Sequence, residues 1–171
     1  MNNNLIKSRE RVKRLVFIAL FAALAYASTL IIHPKVLFLT SDVKDTVITL
    51  AAMSFGPLAG VIISFLTALI ELVTISETGI YGFVMNFCGS AVFSVTASLI
   101  YKHKKTFVGG IIGLVAAVFS MTAAMLLANI LVTPYFMKSS TEEVIKMIPT
   151  VLLPFNFLKA LTNAAFVIGL Y

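Results

Sequence analysis

Six apolar runs, at roughly 12–32, 45–55, 57–75, 80–101, 107–132 and 150–170, take up most of the chain and leave only short connections between them. About 20 apolar residues suffice to carry a helix across the hydrocarbon of a bilayer. Within lipid a segment must satisfy its own backbone, and none of these runs alternates polar and apolar residues as barrel strands do. The expected fold is therefore an all-α membrane protein. With 60% of its 171 residues hydrophobic and only 12% charged, the chain is far more apolar than a soluble domain. A single integral membrane domain over 1–171 is expected.

The second run is short and stops at the turn signal Phe55-Gly56-Pro57. Charge decides whether it counts as a span. Lys7, Arg9, Arg11, Lys13 and Arg14 lie before and at the very start of the first run, and Lys102, Lys104 and Lys105 follow the fourth. The positive-inside rule places both clusters in the cytoplasm, which requires an even number of crossings between them. The expectation is a six-transmembrane-helix bundle with both termini cytoplasmic and a short or tilted second helix. Loops 33–44, 76–79 and 133–149 then face outward; the first carries His33, Lys35, Asp42 and Lys44. This topology explains the net charge of +6 without nucleic acid. The N-terminal region resembles a signal peptide ending at Ala25-Tyr26-Ala27, but its apolar run continues to Ile32, so it is expected to stay as the first span. Cys88 is the only cysteine, which excludes a disulfide framework, and no metal-ligand spacing is present.

The same topology assigns a depth to each polar residue. Asn156, Lys159 and Asn163 fall at i, i+3 and i+7 of the last run and share one helix face. A lysine near the centre of a membrane helix costs about 3 kcal/mol and calls for a cavity or a partner. Glu71, Tyr81, Asn86, Asn129, Asn156 and Lys159 all fall in the outer half, whereas Ala19, Ala23, Gly60, Gly109, Gly110 and Gly113 mark an inner half of small residues. That pattern describes a polar cavity open to the outside. It is neither a continuous pore nor a relay of midplane carboxylates. Amides can donate and accept, and the aromatics Tyr81, Phe87, Phe155 and Phe157 can stack, so a planar organic molecule with a polar edge suits the cavity. An arginine cluster for a dianion is absent.

Plainer readings stand beside these. Each asparagine taken alone reads first as an interhelical hydrogen bond, and the plainer reading of Lys159 is snorkelling toward the interface. The stripe Ala19-x-x-x-Ala23-x-x-x-Ala27 admits a close helix neighbour, from this chain or from a partner. Asp42 and Asp45 read equally as solvated or capping charges, and Glu142-Glu143 as a solvated pair. No nucleophile elbow, metal cluster or phosphate-binding glycine loop occurs, so no catalytic residues are expected and any energy for transport must come from an ion gradient or another subunit.

Several segments together resemble a known family. They are Ala19 with Ala23, Phe55-Gly56-Pro57-Leu58-Ala59-Gly60, Gly79-Ile80-Tyr81-Gly82-Phe83-Val84-Met85-Asn86-Phe87, Asn129 followed by Pro134-Tyr135, and Leu153-Pro154-Phe155-Asn156 followed by Lys159. The chain resembles the substrate-binding S component of an energy-coupling factor (ECF) vitamin transporter, riboflavin type. The resemblance implies a multi-pass protein of a prokaryotic plasma membrane that binds riboflavin with high affinity as transported ligand, with no cofactor. It implies partnership with a transmembrane coupling protein and two cytoplasmic ATPases, with Ala19 and Ala23 against the coupling protein. By position the flavin contacts would be Leu39, Thr40 and Asp42 in the first loop, Asn129, and Asn156 with Lys159; Tyr81 and Asn86 join them as residues of the outer cavity. Two departures stand out: Lys44 where a small polar residue is expected, and Ala160 where a glycine is usual. Asn163 lies outside the signature and reads as a packing hydrogen bond. Alternatives are an S component for thiamine, folate, biotin or pantothenate, or a stand-alone facilitator or structural membrane protein.

Overall fold

The computed structural model describes residues 3–31, 35–37 and 39–171, with the backbone alone for 3–7, 35 and 36. His33 lies outside the described residues. Helix α1 (Asn3–Ile31) leads into two short strands, β1 (Lys35–Val36) and β2 (Leu39–Thr40), paired antiparallel with Lys35 opposite Thr40. Then come α2 (Lys44–Phe55), α3 (Pro57–Thr74), α4 (Gly79–His103) and α5 (Phe107–Met137). The last helical column is composite: α6 (Thr141–Met147), a π-helical turn (Ile148–Leu152) and α7 (Leu153–Leu170). This is the expected six-helix bundle.

Among the described residues, five stretches are long and apolar enough to cross a membrane: Ser8–Ile31, Pro57–Thr74, Gly79–His103, Phe107–Met137 and Thr141–Leu170. Helix α2 is the exception; its 12 residues span about 18 Å. It is wedged inside the bundle instead, burying Ile48, Thr49, Ala51 and Ala52. The α2–α3 corner is made by Gly56 at φ 97°, a left-handed conformation that glycine adopts without strain, followed by Pro57 at the first helical position. The stretch 133–149 is mostly helical rather than loop. Helix α5 runs through Pro134 to Met137 and stops at Lys138, whose φ of 53° ends the helix. Ser140 then caps α6 by accepting from the Glu143 N–H, and Glu142 and Glu143 lie in the first turn, where the helix dipole favours acids.

Two apolar cores flank α2. One, among α1, α2 and α3, contains Ile18, Ala22, Ala25, Ile48 and Ile63; the other, among α4, α5 and α7, contains Phe93, Leu114, Met121, Ala160 and Val167. Both basic clusters sit at one end of the bundle. Arg14 donates to the Phe55 carbonyl at the α2–α3 corner (3.3 Å), while Tyr101, Phe107 and Tyr171 meet where α4 ends, α5 begins and α7 ends. Met53 and Gly110 join these two regions. The outer surface of the bundle is rich in exposed apolar side chains such as Leu15, Leu24, Val115, Phe119 and Leu131.

Candidate ligand-binding site

At the end opposite the basic clusters, α2, α4, α5, α7 and strand β2 enclose about 690 Å³ of empty space, its open mouth included. Leu39, Thr40, Tyr81, Asn86, Asn129, Asn156 and Lys159 line it, together with Asp45, Ser90, Met121, Met125, Phe136 and Phe155. A more open compartment adjoins it, sharing Thr40, Thr78, Asn86 and Phe136 and adding Asp42, Lys44 and Glu71. The structure thus brings seven of the expected residues to one cavity and Asp42 to its neighbour. Of the aromatics expected near the ligand, Tyr81 and Phe155 line the cavity. Phe87 does not; it packs against Phe65 and Phe83. Phe157 likewise turns to Phe119. Helix rotation decides this, because residues two positions apart on a helix point in different directions.

The polar residues of α7 divide their work. Asn156 donates its amide to the Leu152 carbonyl in the π-helical turn (2.8 Å). Lys159 reaches the other way, to the Thr40 carbonyl (3.2 Å) and to Asp42 Oδ2 (3.1 Å), and so ties α7 to the first loop. Asn163 donates to the Asp42 carbonyl and accepts from both the backbone N–H and the hydroxyl of Thr46, each at 2.9 Å. It lies below the cavity lining and fastens the start of α2, as its packing role anticipated. Asn129, fully buried, donates to the Met125 carbonyl and accepts from Thr133.

Asp42 and Asp45, for which a solvated reading stood open in the sequence, are buried, and so are Lys44 and Glu71. Asp42, Lys44, Asp45 and Glu71 are each at most 3% exposed. Lys44 donates to both oxygens of Glu71 (2.8 and 2.7 Å) and lies 3.4 Å from Asp42. Glu71 also accepts from Thr29 (3.1 Å) and Asn86 (2.8 Å), so every strong demand of its carboxylate is met. The chain Lys159–Asp42–Lys44–Glu71–Asn86 binds α7, the first loop, α3 and α4 around the mouth of the cavity. Burial alone raises the pKa of Asp42, yet Lys159 and Lys44 outweigh it and hold the carboxyl below its ordinary value. Lys44 is therefore neither a small polar residue nor an idle departure, for it supplies the partner that Glu71 requires. The signal was present in the sequence: a lone carboxylate in an apolar helix needs a cation, and Lys44 borders the nearest loop.

Ala19 and Ala23 line neither compartment. Both are exposed on the outer face of α1, whereas Ala22 and Ala25 are buried against α2 and α3. The alanine stripe therefore lies on the exposed face of α1 rather than in the core that α1 shares with α2 and α3. No group of three or more potential metal ligands occurs among the described residues.

Comparisons with known proteins agree with this architecture. The family profile described as the substrate-specific component of ECF transporters matches residues 13–171. The riboflavin transporter RibU of Staphylococcus aureus (strain TCH60) is 29% identical over 180 residues, an alignment covering 100% of this chain and 95% of that one. A solved structure, reported as the S component of a bacterial ECF transporter, superposes with a TM-score of 0.81 at 30% identity and 94% coverage of both chains. The chain is thus a multi-pass protein of the cell membrane, and it belongs to the family of substrate-specific components of ECF transporters.

Proposed function

We propose that this chain binds riboflavin with high affinity and delivers it to an ECF module for import. The observation that carries this reading is the composition of the cavity: amides from three helices and one buried lysine around apolar and aromatic walls. Asn86, Asn129 and Asn156 offer donors and acceptors to ring carbonyls, ring N–H groups and hydroxyls. Met85, Met121, Met125 and Phe155 offer polarisable surface to a flat ring system. The likeness to a protein named as a riboflavin transporter supports the choice of ligand. Riboflavin is cargo here, not a cofactor, and the chain acts as a transport subunit rather than an enzyme.

The basic end faces the cytoplasm in this reading, and the cavity opens outward. Support comes from the placement of Arg9, Arg11, Arg14, Lys102, Lys104 and Lys105 at one end of the bundle. Energy comes from a transmembrane coupling protein with two cytoplasmic ATPases. The exposed stripe Ala19, Ala23 and Ala27 fits such a partner, because small side chains let helices approach closely without a hydrophobic driving force. Titration of riboflavin into the detergent-purified chain tests the ligand. Quenching of flavin fluorescence at submicromolar concentration is expected, with thiamine as a cationic control. No quenching at micromolar riboflavin would falsify the riboflavin reading.

A further inference from the structure

Among the described residues, the charges buried around the cavity do not balance. Three carboxylates, Asp42, Asp45 and Glu71, face two ammonium groups, Lys44 and Lys159, and all five residues are at most 8% exposed. Asp42 is bridged by both lysines and Glu71 is held by Lys44. Asp45 forms no ion pair among the described residues. Its position in the first turn of α2 favours negative charge but satisfies only part of the carboxylate. Ser90 donates to Asp45 Oδ1, and both residues line the cavity that also contains Asn156 and Lys159. Asp45 Oδ2 is enclosed and has no hydrogen-bond partner among the described residues. A buried acceptor left in this condition is costly, and native structures seldom keep one without a use.

We propose that Asp45 is a ligand-contacting, specificity-determining residue whose Oδ2 accepts a hydrogen bond from an uncharged donor on the bound molecule, a ring N–H or a hydroxyl. This rests on the riboflavin reading, since riboflavin carries both kinds of donor. Ser90 holds the carboxyl from α4 through Oδ1 and so fixes the direction of Oδ2; because Oδ2 is enclosed, the lining over it shifts as the ligand binds. Lys159 lines the same cavity. An acid and a base on one site suit a neutral ligand that presents donors to one and acceptors to the other. An anionic substituent placed against Asp45 is repelled.

The test is riboflavin titration of the detergent-purified full chain, as wild type, Asp45→Ala and Asp45→Asn. Two analogues accompany it: riboflavin methylated at its ring imide nitrogen, and lumiflavin, which lacks the hydroxylated chain. A charge-assisted hydrogen bond contributes about ten- to hundred-fold in affinity. Asp45→Ala is expected to weaken riboflavin binding by about that factor. Asp45→Asn keeps the shape but not the charge and is expected to lose less, about three- to ten-fold. The deficit should shrink to less than about three-fold for the analogue that lacks the donor meeting Asp45, since nothing is then left for the carboxylate to accept. Unchanged riboflavin affinity in Asp45→Asn and Asp45→Ala overturns the proposal. So does an equal deficit for riboflavin and both analogues, which marks Asp45 as structural. If Asp45→Ala does not fold, the same comparison is made with Asp45→Asn. A wild-type chain that fails to bind riboflavin at all rejects the riboflavin reading and this contact together, whereas a binding wild type with an unaffected variant rejects only the contact.

Discussion

At the basic end of the bundle the helices meet through missing side chains. A Cβ on Gly113 would lie 2.7 Å from the Ala97 carbonyl oxygen, and one on Gly60 would lie 2.8 Å from Ala52 Cβ. At the cavity end the helices stand apart, and polar groups span the gap: Lys159 to Asp42, Lys44 to Glu71, Asn86 to Glu71. Close packing gains dispersion and leaves no room. Polar bridging leaves room for a ligand but demands that every buried charge be matched. A binding protein built within a membrane uses the first at one end to hold the second in register at the other.

The largest test of this contrast is Lys44→Ala, which strands the Glu71 carboxylate. A loss of about 3–5 kcal/mol is expected, read as thermal unfolding of the detergent-purified chain. Replacing both partners, as Lys44→Met with Glu71→Leu, should recover most of that loss; a double variant as unstable as the single one breaks the contrast. Lys159→Ala acts on the cavity itself. It frees the Thr40 carbonyl and leaves Asp42 with one cation, and riboflavin affinity should fall about ten- to hundred-fold, measured by fluorescence quenching. The basic end should respond in the opposite manner. Gly113→Ala overpacks the α4–α5 contact and should cost about 1–3 kcal/mol of stability with ligand affinity nearly unchanged.

Smaller effects sharpen the comparison further. Ala19→Trp or Ala23→Trp on the exposed face of α1 should leave both stability and binding at wild-type levels, because neither touches the cavity. Uptake in cells supplied with the ECF module should nevertheless stop; undiminished uptake would separate the stripe from the coupling protein. Acid should act least of all. Asp42 is held below its ordinary value of 3.8, so its contribution to stability is fully present above that pH and is lost only as pH falls through the lower, folded value. Unfolding temperature should show no loss from this group between pH 7 and 5; a decline there that disappears in Asp42→Asn would show that its pairing is weaker than the geometry indicates.

The helices themselves were legible because their cause is local. An apolar run in lipid must close its own hydrogen bonds, and Phe55-Gly56-Pro57 can only be a corner. Asn156 and Lys159 were legible for a related reason: polar groups in an apolar helix carry a cost that local packing cannot explain. Lys44, Asp45 and Glu71 were harder. The first two border a loop, where charges are ordinarily solvated, and only the return of that loop onto α7 and α3 encloses them. Phe87 and Phe157 failed as cavity residues because composition cannot fix the rotation of a helix about its own axis. Asn163 shows the middle case, for its polar face was evident but its partners, Thr46 and Asp42, lie more than a hundred residues away in the chain.

Membrane insertion, the number of helical columns and the presence of a polar face on the last of them follow from the residue pattern alone, since each depends on transfer energies summed along a single segment. The pairing of Lys44 with Glu71, the sharing of Asp42 between two lysines, the outward turn of Ala19 and Ala23, and the unpartnered oxygen of Asp45 follow only from the packed bundle. Electrostatic and hydrogen-bond energies change over a few ångströms, and distances between groups on different helices exist only once the helices have docked.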